Sequence, residues 1–319
     1  METSFPNAQP DPGTDPDGLG AEAGPRLGAT AQMTVGDVRE TAGFLTRAEG
    51  SLFMVLDRPA AQPPVGLLTV CSALFGEQHA DYRREVRMAR ALASAGFAVT
   101  RFHYRGVGNS APAEASLDAF VRDALDVVRV AQRETGAQRR AILGVGPGAL
   151  VAARAAGASS DGALLLWKPV GDGSQFFRGL FRARMIAATR PGGERPSSTD
   201  SLLARMAAEG SVDVMGFTLW ASLYESLGAA RLDAALVPHI ERVLIQPFRG
   251  SRATEAKHTA ATWRERGCRV DLEPVKLPED PWFVPDRADV SAAVMAAEQQ
   301  LIATSRDWLL DYWGEGHER

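Results

Sequence analysis

Apolar residues along this chain recur in two alternating periods. "AGFLTRAEGSLFMVLDRPA" alternates apolar and polar positions and predicts two strands joined by a turn at Glu49-Gly50. "VGLLTVCSA" is a continuous apolar run and predicts a buried strand. "DYRREVRMARALASAG" has helical spacing and closes at Gly96. The alternation continues through the strand "FAVTRFHYRG", the helix "SLDAFVRDALDVVRVAQRETG" with Ser116 as N-cap, the strand "RRAILGV", the helix "GALVAARAAG" and the strand "GALLLWKPV". After Pro169 the rhythm breaks. Residues 171–236 read as an insertion: an aromatic-rich helix "SQFFRGLFRARMIAATR", a Pro/Gly/Ser linker at 191–200, and more helices. The alternation resumes with "ERVLIQPF", "EAKHTAATWRERG", "CRVDLEPVK" and a long terminal helix near 286–313. Strands alternating with helices predict an α/β fold whose mostly parallel sheet carries helices on both faces. Its core is expected over 34–170 and 237–319, and residues 171–236 are expected to form a helical cap or lid.

Composition changes this picture at one end. Residues 1–33 are dense in Pro, Gly and Asp and lack apolar periodicity, so a disordered tail is expected there. That stretch has no basic-then-apolar signal pattern, and no apolar run approaches a membrane span of about 20 residues. The net charge of -4 argues against nucleic acid as a partner. Cys71 and Cys268 have no metal-like spacing and fit a reducing compartment, so a cytoplasmic protein with no metal and no cofactor is expected.

The stretch "ILGVGPGALVAARAA" (142–156) concentrates the candidate chemistry. Its turn Gly144-Val145-Gly146-Pro147-Gly148 has the spacing of the G-x-S-x-G nucleophile elbow, with Gly146 in the serine's place. The same residues satisfy a G-x-G-x-x-A dinucleotide fingerprint, although Pro147 removes one backbone donor. Close helix–strand packing is the competing reason for the glycines.

These features together resemble the α/β-hydrolase superfamily, over roughly residues 40–313. "RFHYRGVGNS" is similar to that family's D-x-R-G-x-G-x-S loop, with His103 where the acid is usual. The strand–turn–helix at 140–156 falls where the elbow is expected. "LLLWKPV" entering a helical insertion looks most like the serine aminopeptidase-like hydrolases, in particular those of exosortase systems. The resemblance implies a Ser-His-acid triad and two oxyanion N–H donors, and each expected place departs from it. Gly146 has no nucleophile, and Pro147 has no N–H to donate. "RGSRAT" offers no carboxylate before Glu255. The loop "LPEDPWFVPD" holds Glu279, Asp280 and Trp282 but none of the five histidines, His79, His103, His239, His258 and His317.

The reading that follows is a hydrolase-fold protein without triad chemistry, a binding or accessory protein for a small molecule, a peptide or a protein partner. Two alternatives stay open. One is a hydrolase of an ester, thioester or peptide with a displaced nucleophile among Cys71, Ser72 and Ser110, served by His103. The other is an anion- or nucleotide-binding module on the 144–149 turn. Phe176, Phe177, Leu180, Phe181 and Met185, with Arg178, Arg182 and Arg184 interleaved, read either as the roof of a ligand pocket, joined there by Trp282, or as a helix packed on the core. An interfacial helix touching a membrane or partner is a third reading of that stretch.

Overall fold

The computed structural model describes residues 25–159, 162–188, 198–235, 240–250, 252–277 and 292–314. The chain begins with strands β1 (Arg26–Val35), β2 (Val38–Thr46), β3 (Leu52–Pro59) and β4 (Leu67–Cys71). There follow α1 (Gly76–Ser94), β5 (Ala98–Phe102), α2 (Leu117–Thr135), β6 (Arg140–Val145), α3 (Gly148–Ser159) and β7 (Ala163–Trp167). Between β7 and the next sheet strand lie α4 (Gly173–Ala188), α5 (Thr199–Glu209), the hairpin β8 (Ser211–Val214) and β9 (Phe217–Trp220), and α6 (Ala221–Gly228). The chain closes with β10 (Arg242–Gln246), α7 (Arg252–Glu265), β11 (Arg269–Leu272) and α8 (Ala292–Gly314).

The main sheet has the order β1-β2-β3-β5-β4-β6-β7-β10-β11. β1, β2, β3 and β5 pair antiparallel, and every pairing from β5 through β4 to β11 is parallel. β4, β5, β7 and β10 are buried at every residue and β6 at all but its first, Arg140, as expected of parallel strands covered on both faces. One core gathers α2, α3 and the β7–β10 segment, and a second gathers Met88 and Leu92 of α1 with Leu301 and Trp308 of α8. Ser116 caps α2 by accepting from the Ala119 N–H at 3.1 Å, and Gly136 ends that helix in the left-handed region at φ 68°.

Two expectations need correction. The tail was expected to run to residue 33, yet residues 26–33 lie in β1, which pairs with β2 through the two-residue turn Gly36-Asp37. Edge pairing satisfies backbone hydrogen bonds without burying apolar side chains, so a polar, patternless segment can still be a strand. Nine of its ten residues are exposed. The rest of the expected tail lies outside the described residues. The β7–β10 segment, expected to be helical after α4, also contains the hairpin β8–β9. "SVDVMGFTLW" alternates, and its turn is set by Met215 and Gly216, both at positive φ (59° and 85°). Among the described residues no helix is long and apolar enough to cross a membrane.

Candidate functional site

The turn between β6 and α3 sits at the C-terminal edge of the parallel strands, where open α/β sheets place their sites. Gly146 occupies it at φ 55°, its N–H donating to the Trp167 carbonyl at 2.9 Å and its carbonyl accepting from Val170 N–H at 3.1 Å. The neighbouring glycines answer to packing. A Cβ on Gly144 would lie 2.6 Å from Ala149 Cα, and one on Gly148 would strike the carbonyls of Cys71 and Ser72. Close approach of α3 to the sheet thus accounts for both, without a nucleotide.

What faces Gly146 is an ion cluster. A Cβ at that position would lie 2.8 Å from Glu77 Oε2 and 3.8 Å from Lys168 Cε. Glu77 accepts from Arg252 Nη1 at 3.0 Å and lies 3.4 Å from Lys168 Nζ. Lys168 Nζ is 2.6 Å from Asp81, which also pairs with Arg84, and Arg84 reaches Glu298 on α8 at 3.0 Å. Burial opposes the charge on Glu77, but Lys168 and Arg252 prevail and hold its carboxyl down at about 2. Lys168 is likewise desolvated, and Asp81 and Glu77 raise its pKa above the ordinary value. Glu77 and Lys168 are therefore both charged at neutral pH. Lys168 also carries a positive φ of 40°, uncommon for a side chain, which directs its stem into this cluster.

Glu77, Asp81, Arg84 and Lys168 were not singled out in the sequence. The first two turns of α1 present Glu77, Asp81, Arg84 and Glu85 in phase with Met88 and Leu92, all of them buried. That in-phase spacing was the available signal. The loop after β10, where the resemblance places the triad acid, leads into Arg252 instead, and Glu255 accepts the Gly171 N–H at 3.0 Å. Pro147 follows Gly146 and has no N–H to offer an oxyanion.

The other candidate residues are placed as follows. Cys71 is fully buried beside Tyr104, and burial pushes its thiol up to about 12, so it stays a thiol. Ser72 donates to Glu85 Oε2 at 2.7 Å. Ser72, Glu85 and His103 line a void of about 10 Å3, room for roughly one water. Burial raises Glu85 to about 7, against the hydrogen bond from Ser72. Ser110 donates to the His103 carbonyl at 2.6 Å and accepts from Phe53 N–H at 3.0 Å, which ties the loop to β3. His103 Nδ1 accepts from Asn109 N–H at 3.0 Å, its ring lies 5.2 Å from Phe53, and burial lowers its pKa. The neighbouring Arg105 clasps Asp123 on α2.

The aromatic helix divides the expected pocket lining. Phe176, Phe177, Leu180 and Phe181 are buried, the phenylalanines in ring contact with Phe75 and Tyr224, while Met185 is 41% exposed and Arg178 and Arg182 face solvent. None of the four buried residues borders the nearby cavity of about 630 Å3, which opens between the β4–α1 loop, the β5–α2 loop and the tip of the β8–β9 hairpin. Phe75, Phe217, Trp220 and Met215 border it instead. Trp282, Glu279 and Asp280 lie outside the described residues.

Comparison with known proteins places this geometry. Residues 75–178 match the family described as serine aminopeptidase, S33. A solved structure of ferulic acid bound to Est1E from Butyrivibrio proteoclasticus superimposes with a TM-score of 0.58 at 16% identity, over 84% of this chain and 98% of that one. The chain has the α/β-hydrolase fold. Alpha/beta hydrolase domain-containing protein 10 from mouse is similar over 85% of this chain and 99% of its own, with TM-score 0.53 and 16% identity. Proline iminopeptidase from Mycobacterium smegmatis matches over 86% and 99%, with TM-score 0.51 and 15% identity. No curated protein sequence matches the chain. As an α/β-hydrolase-fold protein, it carries Gly146-Pro147 in the turn between β6 and α3, at the C-terminal edge of the parallel strands.

Proposed function

We propose that this protein uses the α/β-hydrolase fold for binding rather than for triad catalysis, with the β7–β10 segment as a cap over a small-molecule or peptide ligand. The observation that carries this reading is the place of Glu77. A carboxylate clamped by Lys168 and Arg252 lies where a nucleophilic side chain at residue 146 would project. A fixed anion there opposes the oxyanion that acyl transfer must develop nearby, and Pro147 withholds one of the donors that would offset it. The esterase and peptidase neighbours support the fold, and their substrates are not transferred to this chain. Resemblance to exosortase-associated hydrolases supports a cytoplasmic accessory role beside a biosynthetic or export system. A displaced nucleophile gains nothing from Cys71, held as a thiol, or from Ser110, whose hydroxyl is engaged on both sides.

Labelling tests the reading. Full-length protein treated with a fluorophosphonate, and separately with iodoacetamide under native conditions, is expected to keep its intact mass at residues 71, 72 and 110. Stoichiometric fluorophosphonate adduct on any serine would overturn the proposal.

A further inference from the structure

The cavity of about 630 Å3 lies within the usual range of small-molecule sites, roughly 300–1,000 Å3. Its lining is chemically one-sided. Among the described residues it includes Arg105, His79 and Gln78 and no Asp or Glu. Arg105 binds Asp123 through Nε and Nη2, and its Nη1 makes no hydrogen bond to a described residue. Gln78 borders the cavity, and its carboxamide makes no hydrogen bond to any described residue. An amide left open at a cavity wall can both donate to and accept from a ligand lodged there.

The backbone around the cavity is consistent with a binding site. α1 begins at its rim, and Phe75 at the N-cap gives no side-chain hydrogen bond to the first-turn N–H groups. Phe75 and Met215, two residues with side chains at positive φ (56° and 59°), both border the same space. Such strain collects where ligands are held. Opposite the polar rim, Phe75, Phe217, Trp220 and Leu223 form an apolar wall.

We propose that this cavity binds a small amphipathic carboxylate, its headgroup held by Gln78, Arg105 and His79 and its apolar body lying on Phe75, Phe217 and Trp220. The proposal deepens the non-catalytic binding reading, because a site that retains a carboxylic acid as ligand needs neither nucleophile nor oxyanion donor. An acid-free rim with an open amide and a partly used guanidinium selects an anion over a cation, and the aromatic wall selects an apolar body over a sugar.

The test uses the full chain and three matched probes: 4-phenylbutyrate, 4-phenylbutan-1-ol and 4-phenylbutylamine, titrated calorimetrically. The carboxylate is expected to bind about ten-fold more tightly than the alcohol, and the amine more weakly than both. Gln78→Ala is expected to weaken the carboxylate about ten-fold and leave the alcohol nearly unchanged. Thr218→Trp, on the exposed side of the hairpin where it borders the cavity, is expected to weaken all three while circular dichroism stays native. Equal binding of the three probes, preference for the amine, or carboxylate binding indifferent to both substitutions would overturn the ligand class. If that happens with p-nitrophenyl butyrate hydrolysis still at background, the ligand class fails and the binding reading stands. Carboxylate preference accompanied by turnover supports the ligand class and overturns the non-catalytic reading.

Discussion

At the scale of single residues, the informative side chains are charged ones in buried places. Glu85 has a folded-state pKa of about 7, above the ordinary 4.5, because burial penalises its charge. Between those values the native state holds a proton that the unfolded chain releases, so its contribution to stability is full below about pH 4.5 and is lost as pH rises through 7. Glu85→Gln is therefore expected to stabilise the protein at pH 8 by on the order of 2–3 kcal/mol and to flatten that part of the profile, measured by urea unfolding at pH 5 and pH 8. An unchanged slope would contradict the assignment. Glu77 runs the other way. Its lowered pKa of about 2 contributes stability above about 4.5 that disappears as pH falls toward 2. Lys168→Met leaves Glu77 with Arg252 alone and Asp81 with Arg84 alone, and is expected to cost about 3–5 kcal/mol in the same assay at pH 7. A cost below about 1 kcal/mol would show that the cluster relaxes into solvent. The packing role of Gly144 was legible from spacing and residue type. Glu77 was not, because clear helical spacing begins only at Asp81, and Glu77 lies in the turn before it. Burying those charges requires partners on β7, α7 and α8, which are distant in sequence.

At the scale of elements, periodicity located the buried strands well because parallel strands must be apolar throughout, and "ILGV" or "LLLW" admits little else. Caps were equally legible. Ser116→Ala is expected to cost about 1 kcal/mol through loss of the bond from Ala119 N–H, and a null effect in thermal unfolding would contradict that role. The miss at β1 has a physical cause. An edge strand is held by main-chain pairing to β2, which leaves no apolar signature for sequence reading to find. Since β1 buries little, deleting residues 1–36 is expected to lower Tm by only about 2–4 °C in scanning calorimetry. A fall beyond about 10 °C would mean that the strand supports the core. The β8–β9 hairpin carried its own signal in "VMGF", overridden by the expectation that an insertion after a helix would remain helical.

At the scale of the whole molecule, strand order and the position of the β6–α3 turn bring three distant loops to one sheet edge. Those loops converge on an ion cluster at Gly146 and on a separate cavity under the β8–β9 hairpin. The central claim is that this edge retains the geometry of the fold without its acyl-transfer chemistry. Gly146→Ser tests it most directly. Gly146 already has a φ of 55°, so the backbone is suited to an elbow serine, but the new Cβ must displace Glu77 Oε2 at 2.8 Å. The variant is expected to fold with a stability loss of about 1–3 kcal/mol. Turnover of p-nitrophenyl butyrate at pH 7.5, followed beside wild type and a no-protein control, is the deciding measurement. The account predicts background rates for both proteins. Hydrolysis by wild type, or a rate in the Gly146→Ser variant about 100-fold above background, would reveal a working base and oxyanion hole and contradict it.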